Sequence, residues 1–171
     1  MSSSKFLPHI NQEAIEKARE NDAALYDLLV QPLHEELYRR QDFNFLDDLS
    51  QGQQLLLSFD YVWMQVMQGG FIQLIQNGYI ALLPPMPEWL QNIGDPEMAK
   101  LIDDVLKVYV LNRELLDKQT TVKEFAALYE EFKEFEILDE KFREIHNTTM
   151  QKILQYAGSH IFEFTTVVYT V

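Results

Sequence analysis

Two adjacent glycines, Gly69 and Gly70, interrupt an apolar helical pattern. Before them lie Leu55, Leu56, Phe59, Val62, Trp63 and Val66; after them a short amphipathic segment opens at Phe71 and closes at Asn77-Gly78. Glycine reaches positive φ without a Cβ clash, and a helix interior disfavours it by about 1 kcal/mol relative to alanine. The pair therefore ends one helix and lets the next leave at a sharp angle, with close backbone contact at the joint. The pattern is helical nearly everywhere else too. The expected fold is all-α: a single compact multi-helix domain over 1–171, with about six to eight helices and an extended C-terminal tail. A chain of 171 residues is of one-domain length.

Local signals set the expected elements. Residues 11–30 read as a first helix capped by Asn11, with Pro32 as a break, 33–40 as a short helix and Asp42–Asp48 as a loop. Ser50-x-x-Gln53 is a capping box opening the helix that runs to Gln68. Pro84-Pro85-Met86-Pro87 reads as an extended connector, followed by a short helix over Glu88–Ile93 ended by Gly94. Asp95-Pro96 joins an N-cap to a proline at the first helical position. Helix 96–117 is apolar around much of its circumference, which predicts a central position with helices 52–68 and 139–157 against it. Thr121-x-x-Glu124 is a second capping box, starting a helix to about Glu134. The final helix is expected over Asp139–Ala157, and the β-branched and aromatic tail 161–171 reads as extended and as a candidate dimer contact.

The block Gly69-Gly70-Phe71, then Gln73, then Asn77 resembles the GGF-x-Q-x-x-x-N signature of a bacterial family of small helical domains, named after a dimeric DNA mimic protein. Gln68 and Leu74 stand where that pattern often has Asn and an aromatic. The Ile93-Gly94 turn before Asp95-Pro96 is similar to the family as well, and so is Leu138-Asp139-Glu140-Lys141-Phe142 with the later Tyr156 and Ile161-Phe162-Glu163-Phe164. Together the blocks make a family-like core of about 50–164. The resemblance implies a non-enzymatic, acidic protein-interaction domain: a DNA mimic that sequesters a DNA-binding regulator, working as a homodimer.

Charge permits that reading. Asp and Glu total 27 against 14 Lys and Arg, a net charge of −13. Phosphates demand cationic partners, so direct nucleic-acid binding is disfavoured, anionic membranes likewise, and a basic protein partner is favoured. The absence of cysteine excludes disulfides and thiolate metal sites. No run approaches the length of a membrane span, and MSSSKFLPHINQ has no signal-peptide layout. The expected location is the cytoplasm.

The residues support little chemistry. His9, His34, His146 and His160 are scattered, and His34-Glu35-Glu36 lacks the second histidine a metalloprotease helix needs; no metal and no cofactor are expected. The glycine pair has neither the Lys-Ser/Thr of a phosphate loop nor a strand before it, and no nucleophile elbow exists. Carboxylates three or four apart on a helix lie about 5–6 Å from each other, which compares with phosphates along a nucleic-acid strand. Glu130, Glu131 and Glu134 make such a row, Glu136, Asp139 and Glu140 extend it, and Asp103 with Asp104 begins a second patch. Lys123, Lys133, Lys141 and Arg143 lie among them. The amides Gln65, Gln68, Gln73, Gln76 and Asn77 surround the joint, where they would satisfy the backbone groups of a broken helix. Two other functions stay open: an acidic inhibitor or immunity-type protein covering a basic partner, and a small-molecule-binding or hydrolytic domain centred on the Gly69-Gly70 joint.

Overall fold

The structure, a computed structural model, describes residues 5–171. The absence of a signal-peptide layout concerns in part residues 1–4, which lie outside the described residues. Among the described residues the elements run β1 (His9–Asn11), α1 (Gln12–Ala18), α2 (Asp22–Arg40), a 3-10 turn (Phe43–Asp48), α3 (Gln51–Gln76), a 3-10 turn (Ile80–Leu82), α4 (Met86–Asn92), α5 (Pro96–Leu111), α6 (Arg113–Leu116), α7 (Val122–Glu131), α8 (Glu134–Ser159), a 3-10 turn (Ile161–Glu163) and β2 (Thr166–Val168). The fold is all-α, with one two-stranded sheet. The chain divides into two compact units, residues 1–57 with 150–171 and residues 58–149.

In the first unit, Asn11 caps α1 by accepting from the Glu13 N–H at 2.8 Å. Asn21 caps α2 in the same way, accepting from Ala24. Pro32 does not end a helix; it lies inside α2, which absorbs the expected separate segment 33–40. Proline costs an interior helix roughly 3 kcal/mol. Leu29, Val30, Leu33 and Leu37 are buried on either side of it, each worth about 1.5–3 kcal/mol, so packing carries the helix through. Asp42–Asp48 is likewise a 3-10 turn and not an irregular loop, with Asp42 as its cap.

The Ser50–Gln53 capping box forms, with Gln53 N–H to Ser50 Oγ at 3.2 Å and Ser50 N–H to Gln53 Oε1 at 2.9 Å. Its side chains reach further: Ser50 Oγ donates to the Glu163 carbonyl, and Gln53 Nε2 to the Phe6 carbonyl. The tail is therefore held within its own chain. β2 pairs parallel with β1, His9 opposite Thr166 and Asn11 opposite Val168, and Thr165 Oγ1 donates to the Pro8 carbonyl at 2.6 Å.

In the second unit, α3 breaks at the glycines as the sequence predicts: its run is helical on both sides of Gly69 and Gly70, whose own dihedrals are not. Densest burial belongs to α3 and not to α5, because Phe59, Val62, Val66, Phe71, Ile72 and Leu74 are almost wholly enclosed. The rings of Phe71 and Phe59 pack on Phe142 of α8 with centroids 5.8 and 6.2 Å away. Helix α5 starts where Asp95 accepts from the Met98 N–H. It ends at Leu111, not near 117, and buries one side only; Val110 and Leu111 are 68% and 83% exposed. Pro85 has helical dihedrals, so Pro84–Pro87 turns into α4 and is not an extended connector. The Thr121–Glu124 capping box closes as expected.

Candidate functional site

Gly70 takes φ 77°, a conformation that L side chains rarely adopt. The dihedral is one reason for glycine there, and close approach is another. A Cβ on Gly70 would run into the Asp139 carboxylate and the Tyr129 hydroxyl. A Cβ on Gly69 would meet the Gln73 side chain folded over it. Past the break, the first N–H of the new segment needs an acceptor. Asp139 supplies it: its Oδ1 accepts from Phe71 N–H at 2.9 Å.

Asp139 is therefore not part of an acidic surface. It is 3% exposed, on the second turn of α8, which begins at Glu134 and not at Asp139. Burial pushes its carboxyl up to about 6, against the opposing pull of the Phe71 N–H and the Arg143 charge. The Tyr129 phenol is raised as well, first by burial and then by the Asp139 charge. A perturbed carboxyl marks a functional-site candidate. Here its oxygen is committed to a backbone bond and enclosed, so the arrangement is a clamp on the helix break.

The amides do not cap the broken helix, as the sequence reading expected. They bond mainly to one another. Gln73 Nε2 donates to Gln68 Oε1 at 2.9 Å and to Gln65 Oε1 at 3.2 Å, and Asn77 Nδ2 donates to Gln65 Oε1 at 2.7 Å. Gln76 donates to the Leu116 carbonyl and accepts from Thr120. The signature residues thus split in role: Gly69, Gly70 and Phe71 make the joint, while Gln73 and Asn77 fasten the short segment back along α3.

The family model of the DMP19-like proteins matches residues 47–160, close to the 50–164 core drawn from the sequence blocks. The chain belongs to the DMP19-like protein family. No match was found among curated proteins.

The acidic residues of this DMP19-like domain fall into different environments. Glu130 and Glu131 close α7 and Glu134 opens α8, so the expected single-helix row through Glu130 and Glu134 does not exist. Asp103 and Asp104 are half-buried, and Asp104 pairs with Lys100 at 2.6 Å and Lys107 at 3.8 Å. What the helix boundaries produce instead is Glu136, Glu140 and Glu144, four residues apart along α8 and all exposed. They rise by about 6 Å per step. None of the three has an ion-pair partner among the described residues. Of the cations among them, Lys141 pairs with Glu97 at 2.6 Å and also interacts with the Glu144 charge, and Arg143 stands exposed between Glu140 and Glu144. Sequence reading missed Glu144 because it placed Asp139 in the row; the i, i+4 interval from Glu136 was the available signal.

No helix among the described residues is long and apolar enough to cross a membrane, and no cluster of three or more His, Asp or Glu side chains there is placed to hold a metal ion.

Proposed function

We propose that this protein is a non-enzymatic, acidic interaction domain of the DNA mimic type, which binds a basic DNA-binding regulator in the place of DNA and acts as a homodimer in the cytoplasm. The observation that carries the reading is the row Glu136–Glu140–Glu144, exposed along helix α8 of a DMP19-like domain and forming no ion pair among the described residues. A net charge of −13 sets the sign of the surrounding field. Regularly spaced carboxylates that form no ion pair among the described residues offer a basic groove-binding surface what a phosphate backbone offers: fixed negative charge that releases counterions on contact. Glu130, Glu131 and Glu134 add exposed charge at the α7–α8 junction.

Competition is the test. A basic partner captured on the immobilised protein is displaced by added double-stranded DNA and by high salt. It is not retained by a variant carrying Glu136→Lys, Glu140→Lys and Glu144→Lys. A partner that DNA fails to displace points to an inhibitor of the immunity type, and capture that survives the triple reversal removes the row from the site.

A further inference from the structure

Helix α7 is thinly held. Of its residues only Leu128 is buried, while Phe125 and Tyr129 are half-buried. Helix α5 of the same unit buries Met98, Ala99, Leu101, Ile102 and Val105. Among the described residues no side chain of α7 forms a hydrogen bond or ion pair to another element; Glu124 closes the helix's own capping box, and the Phe125 and Tyr129 rings pack on each other. The two ends are better fixed. Before the helix, Thr120 Oγ1 donates to Gln76 Oε1 at 2.9 Å; after it, Phe132 is buried with its ring against Phe135. A segment with few buried side chains between two fixed ends opens by local unfolding while its surroundings stay folded.

What α7 covers is the clamp. The Tyr129 hydroxyl and the Asp139 carboxylate converge on the space over Gly70, and the Asp139 charge acts on the phenol. The groups around the carboxyl are Tyr129 from α7, the Phe71 N–H from α3, and Arg143 and Glu136 from α8 itself. Burial and Glu136 oppose its charged form, while the N–H and Arg143 favour it; burial dominates and lifts the group from 3.8 to about 6. When α7 lifts, the Tyr129 ring leaves with it and water reaches the carboxyl, which then returns towards its ordinary value. A group that is more acidic in the open state than in the closed one promotes opening as it loses its proton. We propose that α7 is a proton-controlled latch: it opens on its own while α3 and α8 stay folded, and it opens more readily once Asp139 is ionised. Glu130 and Glu131 travel with α7, so the same step rearranges the acidic surface at the α7–α8 junction. That consequence rests on the proposed function; the latch itself does not.

Hydrogen–deuterium exchange of the full-length protein, read by mass spectrometry and corrected for the intrinsic pH dependence of exchange, tests it. Peptides of α7 are expected to exchange at least about tenfold faster than those of α3 around Phe59–Val66. Between pH 5 and pH 8 the protection of α7 falls at least about fivefold, within what a carboxyl moved from 3.8 to about 6 allows. In Asp139→Asn that fall shrinks to less than about twofold. Leu128→Ala speeds exchange of α7 by about tenfold, leaves α3 unchanged and keeps the pH response, which tests local opening without touching Asp139. Exchange of α7 in step with α3 overturns the proposal. So does wild-type protection that is flat across the pH range, an equal fall in Asp139→Asn, or a Leu128→Ala variant in which α3 speeds up as much as α7. Capture of a basic partner has no part in these readouts, so failure of the latch and failure of the mimic reading are told apart.

Discussion

Asp139 accepts the backbone N–H of Phe71 at 2.9 Å, closing the glycine break with a carboxylate 68 residues further along the chain. This bond joins two sequence blocks that look unrelated in one dimension, the glycine signature and Leu138–Phe142. Asp139→Ala leaves the buried Phe71 N–H without an acceptor, a loss of about 1–3 kcal/mol. The melting temperature of the variant falls by several degrees. Asp139→Asn keeps an acceptor oxygen and melts close to the wild type near pH 4, where the folded wild type carries its carboxyl protonated. Equal melting temperatures for Ala and Asn would remove the hydrogen bond from the account.

The same carboxyl makes stability depend on pH. Burial lifts it from 3.8 to about 6 in the folded protein. Between those values the folded state holds a proton that the unfolded state has released, so its contribution falls as pH rises. The contribution is complete below the unfolded value and lost as pH passes through about 6. Glu36 acts oppositely: Arg39 and Arg40 hold it down at about 2, so its stabilisation is lost on acidification below its ordinary value. Comparison with Asp139→Asn isolates the Asp139 effect. The wild type is expected to lose several degrees relative to Asp139→Asn between about pH 4 and pH 7. A constant difference across that range contradicts the raised carboxyl.

Gly70 and Gly94 both have positive φ, 77° and 83°, yet differ in surroundings. At Gly94 a Cβ meets open space; at Gly70 it meets Asp139 and Tyr129. Gly94→Ala therefore costs only the backbone term, about 1–2 kcal/mol. Gly70→Ala costs that and also displaces the clamp, so chemical denaturation should show the larger loss, by about 1–3 kcal/mol more. Similar losses would mean that the contact over Gly70 is loose.

Local punctuation was legible in the sequence, and its tertiary consequences were not. Both capping boxes, the Asp95-Pro96 start and the glycine break need only residues within a few positions of each other, and all appear where the pattern puts them. Pro32 was misread because propensity is local, whereas the leucines that outweigh it pack against distant elements. The start of α8 was misread for a related reason. Leu138-Asp139-Glu140 looks like a helix start beside solvent, and only the fold reveals that the Asp139 side chain turns inward to the break. That misplacement also distorted the acidic surface, since moving the helix start to Glu134 replaces a row through Glu130 and Glu134 with one through Glu136, Glu140 and Glu144.

The glutamate row separates function from stability. Glu140 lies four residues from Glu136 on one side and from Glu144 on the other. Like charges at this interval destabilise a helix by about 0.2–0.5 kcal/mol per pair, and opposite charges stabilise it by a similar amount. Glu140→Lys turns two repulsions into two attractions, against one attraction, to Arg143 three residues on, turned into a repulsion. The melting temperature is therefore expected to rise slightly while capture of a DNA-displaceable basic partner weakens. An ordinary destabilising mutation lowers both, and a purely solubilising row loses no binding. Opposite movement of the two readouts is what a carboxylate row held against self-repulsion for binding requires, and thermal melts with DNA-competed capture on the same preparation measure both.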